Sequence, residues 1–439
     1  MKKIVIGGAG AYHFAPAILE DLLVRWHMPC ELWLVDADLD MAELTARAAK
    51  ALAGDFGSQV RFFYTTRMEK AVPGADAVII AADFLDADAW QMDYEALDEV
   101  GLGKQVRLNG GLGGLMQTLR ASGFIADVAE QMKKTCPEDA LLVLCDSGFG
   151  GLQLSRACEA AGRVIGVRTL GVSAAAEQTK KRLSLYLGVP EEKMELTCAG
   201  LNGFAWVTEM KRADTGEDLI PRCMKEMAED PREALSAQYI DWYGAIPAGD
   251  RVMQYELLAD TEKSPRRTVI YSGVGAADYE LRKRNLAHLA VHGLLHPDGL
   301  AAWKQIRESG FASARPVEIL RALWGMGACS VQSLTMPCDG ALPGITPGRC
   351  TEGPARVDGE GAHGVRTDIP VELQDVIEQI SLCNLLYAEA AVTGNRDALR
   401  QGLEIDPALT GVDLLYAEGV LEQMMERQQD RLPRFNRED

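Results

Sequence analysis

The chain lacks long apolar runs, paired cysteines and repeats, and it is poor in positive charge. No stretch approaches the roughly 18 apolar residues that a membrane-spanning helix needs, so a transmembrane protein is not expected. Lys and Arg total 45 against 64 Asp and Glu, a formal charge of −19. A field of that sign repels phosphate backbones and anionic lipid, so neither nucleic acid nor a membrane surface is expected as a partner. A local basic pocket for an anionic substrate stays open. The ten cysteines are scattered and none forms a Cys-x-x-Cys pair, which predicts free thiols in a reducing compartment, the cytoplasm. The lysines and apolar residues of Met1-Lys2-Lys3-Ile4-Val5-Ile6 run straight into Gly7-Gly8-Ala9-Gly10. That reads as a strand and a turn, with no cleavage site of the kind a secretory leader carries.

What is present is an ordinary globular balance, 47% apolar and 25% charged residues in 439. At about 150 residues per domain this length allows two to three domains and a large core. Short apolar runs recur at Lys3-Ile4-Val5-Ile6, at Glu31 to Val35 ending in Asp36, at Ala77 to Ala81, and at Leu141 to Leu144 before Cys145-Asp146. Such runs suit strands buried on both faces of a parallel sheet. Helical pattern fills residues 15–26, 40–52 and 115–134. The alternation predicts an α/β fold: a Rossmann-like, doubly wound domain over residues 1–170, with a further strand at Val164-Ile165-Gly166-Val167. Helical pattern also covers 174–187, 276–295 and 370–393, so residues 171–439 read as a mixed, mostly helical α+β domain for substrate binding and oligomerisation. The Gly- and Pro-rich residues 340–366 read as a long irregular segment of the kind that lines sites. The polar tail from Glu426 is expected to fray.

Gly8-Ala9-Gly10 follows the first strand and precedes a helix, where backbone N–H groups can approach a pyrophosphate. Asp36 ends the second strand, and a carboxylate there can bond both ribose hydroxyls, favouring NAD over NADP. His13 stands where the usual fingerprint has its third glycine. Gly8, Gly10 and Asp36 are thus the expected cofactor-binding residues; the competing reading is a tight strand–helix turn with no cofactor.

Other groupings each carry two readings. His288, His292 and His296 share one helical stripe, either as metal donors or as an ordinary helix face near a C-terminus. Asp83, Asp86 and Asp88 lie after the third run, near the cofactor end or simply in solvent. Cys145 reads as a buried structural thiol rather than a nucleophile.

The stretch Gly200-Leu201-Asn202-Gly203-Phe204-Ala205-Trp206-Val207-Thr208 resembles the Gly-(Leu/Ile)-Asn-His segment of glycoside hydrolase family 4, the NAD-dependent glycosidases, and their α-galacturonidase branch in particular. Further matches run in order. Gly7 to Gly10 resembles the family's glycine turn, and Gly111-Leu112-Gly113-Gly114 with Leu119-Arg120 its Gly-Pro-Gly-Gly loop and helix. Trp242 to Arg251 resembles the segment that ends in Gly-Asp. The resemblance implies an NAD-binding α/β domain with a mixed C-terminal domain, and a small-molecule glycoside as substrate, uronides included. It also implies a homodimer or homotetramer. Its chemistry departs from the usual two-carboxylate scheme. Hydride leaves the sugar C3 for NAD⁺, the acidified C2 proton is removed by a base, the C1 substituent is eliminated, water adds and the ketone is reduced again. A divalent metal, usually manganese, polarises the C2 and C3 oxygens.

The resemblance further implies Asp250 or Tyr243 as acid–base residues, a tyrosine needing a neighbouring cation to lower its pKa. The plain alternatives are that Tyr243 packs and Asp250 caps a helix. Asn202, Arg107 and Asn109 fall in segments expected to touch the sugar, with Asn202 open to being a turn residue. The family's metal ligands are a Cys after the strand matched to Val164–Val167 and the His of its Asn-His pair. Here Arg168 and Gly203 stand at those places, and neither offers a lone pair. No metal ligand is therefore expected. The family's Asn-Pro after the fourth strand is also replaced, by Cys145-Asp146-Ser147. Either the Arg168 guanidinium substitutes for the metal beside the reacting carbons, or the site has decayed and Arg168 is solvated. A guanidinium facing bulk solvent, with nothing cationic left in the cavity, would overturn the hydrolase expectation and leave the fold expectation standing. The expected function is a metal-independent or attenuated NAD-dependent glycosidase. A sugar dehydrogenase and a non-catalytic sugar- or NAD-binding relative are the alternatives.

Overall fold

The computed structural model describes residues 1–11, 13–84, 86–146, 151–249, 251–258, 276–308 and 315–436. Within them one sheet of twelve strands runs through the molecule. Six strands come first in the chain: β1 (Lys2–Gly7), β2 (Cys30–Val35), β3 (Val60–Thr65), β4 (Ala77–Ile80), β5 (Leu141–Asp146) and β6 (Thr169–Ser173). They are parallel and lie in the order β3-β2-β1-β4-β5-β6. That is the Rossmann order, with its switch point beside β1, as the alternation of apolar runs predicts. The run residues Ile4 to Ile6, Ala77 to Ile80 and Leu142 to Leu144 have no exposed surface.

Two strand assignments need correction. β3 is an edge strand with Phe63 and Tyr64 exposed, so it shows no continuous buried run by which to find it. Residues 164–167 are not a strand. A helical segment continues to Ile165 and stops on Gly166, at φ +87°, and β6 starts two residues beyond Val167. Glycine adopts that left-handed cap without the Cβ penalty.

The second half extends the same sheet. Next to β6 come β10 (Cys329–Pro337), β11 (Cys350–Asp358), β7 (Met194–Leu201), β8 (Phe204–Arg212) and β9 (Ile246–Pro247), all antiparallel, with β12 (Gly361–Gly364) on β11. The expected irregular stretch at 340–366 is therefore largely the β11–β12 hairpin. A boundary at residue 170 would cut β6 in two. Alternate side chains of β1 serve opposite faces. Ile4 and Ile6 share an apolar cluster with Leu286, Leu289, Trp303, Ile306 and Val317. Val5 packs with Ile125 and Ala129 of the helix Gly111–Thr135, and with Ala388 and Val392 of the helix Val371–Thr393. Helices from the second half thus cover both faces of the first half's sheet.

As far as Asn436, the last described residue, the tail does not fray. After the helix Leu414–Arg427 the chain makes two short turns, and the buried Arg434 donates to Glu130 at 2.9 Å, to Asp127 at 2.6 Å and to the Val392 carbonyl at 2.6 Å. All ten cysteines are unpaired. Among the described residues no helix is long and apolar enough to cross a membrane.

Candidate functional site

At the carboxyl ends of β1, β2 and β4 lies a cavity of about 530 Å³, walled by Gly8, Gly10, Asp36, Asp83, Tyr279 and Arg282 among others. That volume is in the range of small-molecule and cofactor sites. Gly8 has φ +79°, and a Cβ there would stand 2.4 Å from Ala82 Cα, so only glycine lets β1 turn this close to the end of β4. The N–H groups of Gly8 and Ala9 both donate to the Val35 carbonyl, at 2.9 and 3.0 Å. Gly10 donates its N–H to Asp36 Oδ2 at 2.8 Å, while Asp36 Oδ1 accepts from Asp38 N at 3.1 Å. Asp36 therefore pins the glycine turn. Asp38 caps the helix Leu39–Phe56 and accepts from the Tyr279 hydroxyl.

His13 Nε2 lies 4.0 Å from Asp83 Oδ1. Burial pushes the His13 imidazole below its ordinary range; Asp83 opposes that and the Arg282 guanidinium adds to it. Of the three aspartates after β4, Asp83 faces the cavity. Asp86 caps the helix Ala87–Glu99 and pairs with Arg431, and Asp88 is exposed. Cys145 is buried, and burial raises its thiol well above the usual range, as befits a structural cysteine.

A second cluster lies where β6, β10, β11 and the β7–β8 hairpin converge. Glu352 Oε2 accepts from Ser173 Oγ at 2.8 Å, Asn202 Nδ2 at 3.2 Å and Thr335 Oγ1 at 3.3 Å. Glu352 is fully enclosed, and burial raises its carboxyl above the ordinary carboxylate range despite those three donors. Cys198 lies close enough for Glu352 to act on it, and burial holds its thiol well above its usual range. Asn202 and Gly203 form the two-residue turn between Leu201 and Phe204, with Gly203 at φ +78°. Asn202 Oδ1 accepts from Leu154 N at 3.0 Å, so both ends of its amide are bonded inside the protein. The turn reading of Asn202 fits this geometry, and the expected contact with a sugar hydroxyl does not.

Arg107 and Asn109 also face inward. Arg107 Nη1 donates to the carbonyls of Tyr255, Glu256 and Leu258, at 3.3, 3.0 and 2.7 Å. Asn109 donates its main-chain N–H and its Nδ2 to Glu256 Oε2, at 2.9 and 3.0 Å. Together they clamp the carboxyl end of the helix Arg251–Glu256, a positioning role in place of the expected substrate contact. Asp250, the residue before that helix, lies outside the described residues. Tyr243 packs edge-to-face on Trp206 with ring centroids 5.4 Å apart, and burial alone moves its phenol, upward. That is the packing alternative, and the reverse of what a base requires.

Arg168 is exposed, and its carbonyl accepts from Leu142 N at the amino end of β5. In a parallel sheet this is the edge opposite the cavity, so the structure does not bring Arg168 to the site. The cause is the strand register: the residue at the carboxyl end of the sixth strand is Ser173. Sequence reading missed Ser173, Glu352, Tyr279 and Arg282. The rule that ligands gather at the carboxyl ends of parallel strands finds Ser173 once β6 is placed correctly. Glu352 sits in a strand that read as a loop, and Tyr279 and Arg282 on a helix with no local motif.

Comparison with known proteins agrees with this fold. The model of the family 4 glycosyl hydrolases matches residues 3–148, and the model of that family's C-terminal domain matches residues 198–409. The chain belongs to glycosyl hydrolase family 4. Among curated relatives, an alpha-glucosidase of Erwinia rhapontici is 23% identical, with 92% of this chain and 93% of that protein aligned. An alpha-galacturonidase of Bacillus subtilis is 24% identical over 77% of this chain and 78% of its own length. Among solved structures, a 6-phospho-alpha-glucosidase from gut microorganisms, in complex with NAD and Mn2+, superposes with a TM-score of 0.72 at 16% identity, covering 98% of this chain and 99% of its own. The 6-phospho-beta glucosidase of Thermotoga maritima, with manganese, NAD+ and glucose-6-phosphate, gives a TM-score of 0.70 at 17% identity and the same coverage. At these identities the superpositions establish the fold.

Proposed function

We propose that this chain is an NAD-dependent glycosidase that cleaves O-glycosyl bonds by redox-assisted elimination across C1, C2 and C3 of a sugar, without manganese at the family's two ligand positions. The observation that carries the reading is the cavity at the ends of β1, β2 and β4, with Gly8, Gly10 and Asp36 in its wall, in a chain matched by both family models. These residues fit a dinucleotide. The space that a Cβ would fill at Gly8 is left to backbone, and Asp36 holds its carboxylate beside the turn through two main-chain N–H groups. When bound, NAD supplies a reversible hydride acceptor.

The residues present do not fit the metal. Where the resemblance places a Cys and a His, this chain has Ser173 at the end of β6 and Gly203 in the β7–β8 turn. The nearby carboxyl, Glu352, is raised by burial and already accepts three hydrogen bonds. A fully buried carboxyl already engaged by two hydroxyls and an amide is a poor donor set for a divalent cation. Glu352 instead fastens the end of β6 to β10 and to the hairpin turn. Arg107 and Asn109 hold the carboxyl end of the helix Arg251–Glu256; Asp250 stays the acid–base candidate that the resemblance implies.

The substrate class this supports is a small-molecule glycoside, with uronides the first to test. The ten free thiols support a reducing compartment, the cytoplasm, and a homodimer or homotetramer is carried over from the family resemblance. One observation favours a second reading. With Ser173 and Gly203 at the family's two ligand positions, a sugar dehydrogenase that keeps the hydride step and not the elimination is the rival. Incubating purified protein with NAD⁺ and a glycoside panel, with Mn²⁺ or with chelator, separates them. Aglycone release without net NADH, unaffected by chelator, is the expected result. Net NADH without release supports the dehydrogenase, and bound cofactor with neither supports a non-catalytic relative. A strict manganese requirement overturns the metal-free assignment.

A further inference from the structure

We propose that the elbow between the helices Ala276–His292 and Pro297–Glu308 is a site for a borderline transition-metal dication such as Zn²⁺ or Ni²⁺, held by His292, His296 and Asp298. One donor atom from each residue lies within 4.8 Å of the others. The His292 and His296 rings stack with centroids 4.9 Å apart and planes 23° apart, and His288, one turn earlier, stacks on His292 at 6.0 Å and 22°. Zn–N bonds of about 2.0–2.1 Å in a tetrahedron put donors roughly 3.3 Å apart, a spacing that small side-chain rotations reach from here.

The elbow is built, not slack. Gly293 closes the first helix onto the Leu289 carbonyl at 2.9 Å. Leu294 and Leu295 both donate their N–H groups to Asp55 on the helix Leu39–Phe56, which anchors the segment leading to His296. His296 Nδ1 accepts from Asp298 N at 3.2 Å and lies 3.7 Å from Asp298 Oδ2. A neutral ring accepting there carries its proton on Nε2, so Nδ1 presents its lone pair to the Asp298 amide, with the carboxylate beside it. A cation between them exchanges the amide contact for a coordinate bond. His292 ends its helix, where the unpaired carbonyls favour positive charge. Two imidazoles and one carboxylate select zinc, nickel or copper over magnesium or calcium, which take oxygen donors.

The first turns of the same helix carry Tyr279 and Arg282 in the cavity wall. An ion at its far end staples that helix to its neighbour, and this inference stands whether or not the proposed glycosidase reading holds. The test is calorimetric titration of the full chain, made without a histidine tag and stripped with chelator, using Zn²⁺ and then Ni²⁺ alone. The expected result is saturable binding of one ion per chain with a higher melting temperature. The double variant His292→Ala/His296→Ala is expected to weaken binding by at least about tenfold. Its metal-free circular dichroism and melting should stay unchanged, because both side chains are exposed. His363→Ala, in the Asp358, Glu360 and His363 group that offers one imidazole, is expected to leave the titration unaltered. No saturable binding, or undiminished binding by the double variant, overturns the site.

Discussion

Ser173 donates its hydroxyl hydrogen to Glu352 Oε2 across 2.8 Å. Asn202 reaches the same oxygen at 3.2 Å, so the end of β6 and the β7–β8 turn are joined through one carboxyl. These are the two places from which the family resemblance draws metal ligands. In this chain they converge on an acid that burial keeps above the ordinary carboxylate range.

That buried acid makes stability depend on pH in a defined direction. Its folded pKa is raised above its unfolded value. The contribution is therefore whole below the unfolded carboxylate range and lost as pH rises through the folded value. Glu352→Gln keeps an accepting oxygen for Ser173, Asn202 and Thr335 and removes the titration. Urea unfolding at a series of pH values should show the wild type losing stability relative to this variant, by up to about 1.4 kcal/mol per pH unit between the two values. Parallel pH profiles for the two proteins would count against a raised Glu352 carboxyl.

Gly8→Ala tests the cofactor turn. The left-handed backbone at φ +79° costs an alanine about 1–2 kcal/mol by itself. The new methyl would also meet Ala82 Cα at 2.4 Å, which forces β1 and β4 apart at the cavity. A lower denaturation midpoint and weaker NADH binding by fluorescence titration are expected together. Unchanged NADH affinity would place the cofactor elsewhere.

Arg107→Ala separates a clamp from a substrate contact. The guanidinium bonds three main-chain carbonyls at the end of the helix Arg251–Glu256. Each group left buried and unpaired costs about 1–3 kcal/mol. Thermal unfolding should therefore fall sharply while NADH affinity holds. Arg107→Lys should not restore it, because one ammonium lacks the planar fork. A rise in KM for the glycoside with full stability would return Arg107 to the substrate site.

Arg168→Ala is expected to do almost nothing. The side chain is exposed at the sheet edge opposite the cavity, and a surface change of this kind stays within about 0.5 kcal/mol. Turnover and NADH binding should match the wild type. Loss of turnover at normal stability would bring back a catalytic guanidinium.

The Rossmann half was legible in the linear chain because its information is local. Continuous apolar runs mark strands buried on both faces, and a glycine turn followed 26 residues later by Asp36 marks the crevice beside them. The edge strand β3 escaped because half its side chains face water. The five-residue displacement of the start of the sixth strand, from Val164 to Thr169, put Arg168 where Ser173 belongs. Tertiary structure alone decided the rest: that Glu352 on β11 meets Ser173 on β6, 179 residues away, that Arg107 grips Leu258, and that the helix bearing Tyr279 and Arg282 walls the cavity at the ends of β1, β2 and β4. The sequence itself determined which segments become strands and helices, since hydrophobic periodicity is written into neighbouring residues. Which polar groups end up sharing a buried hydrogen-bond partner depends on how distant strands are ordered across one sheet, and no local pattern encodes that order.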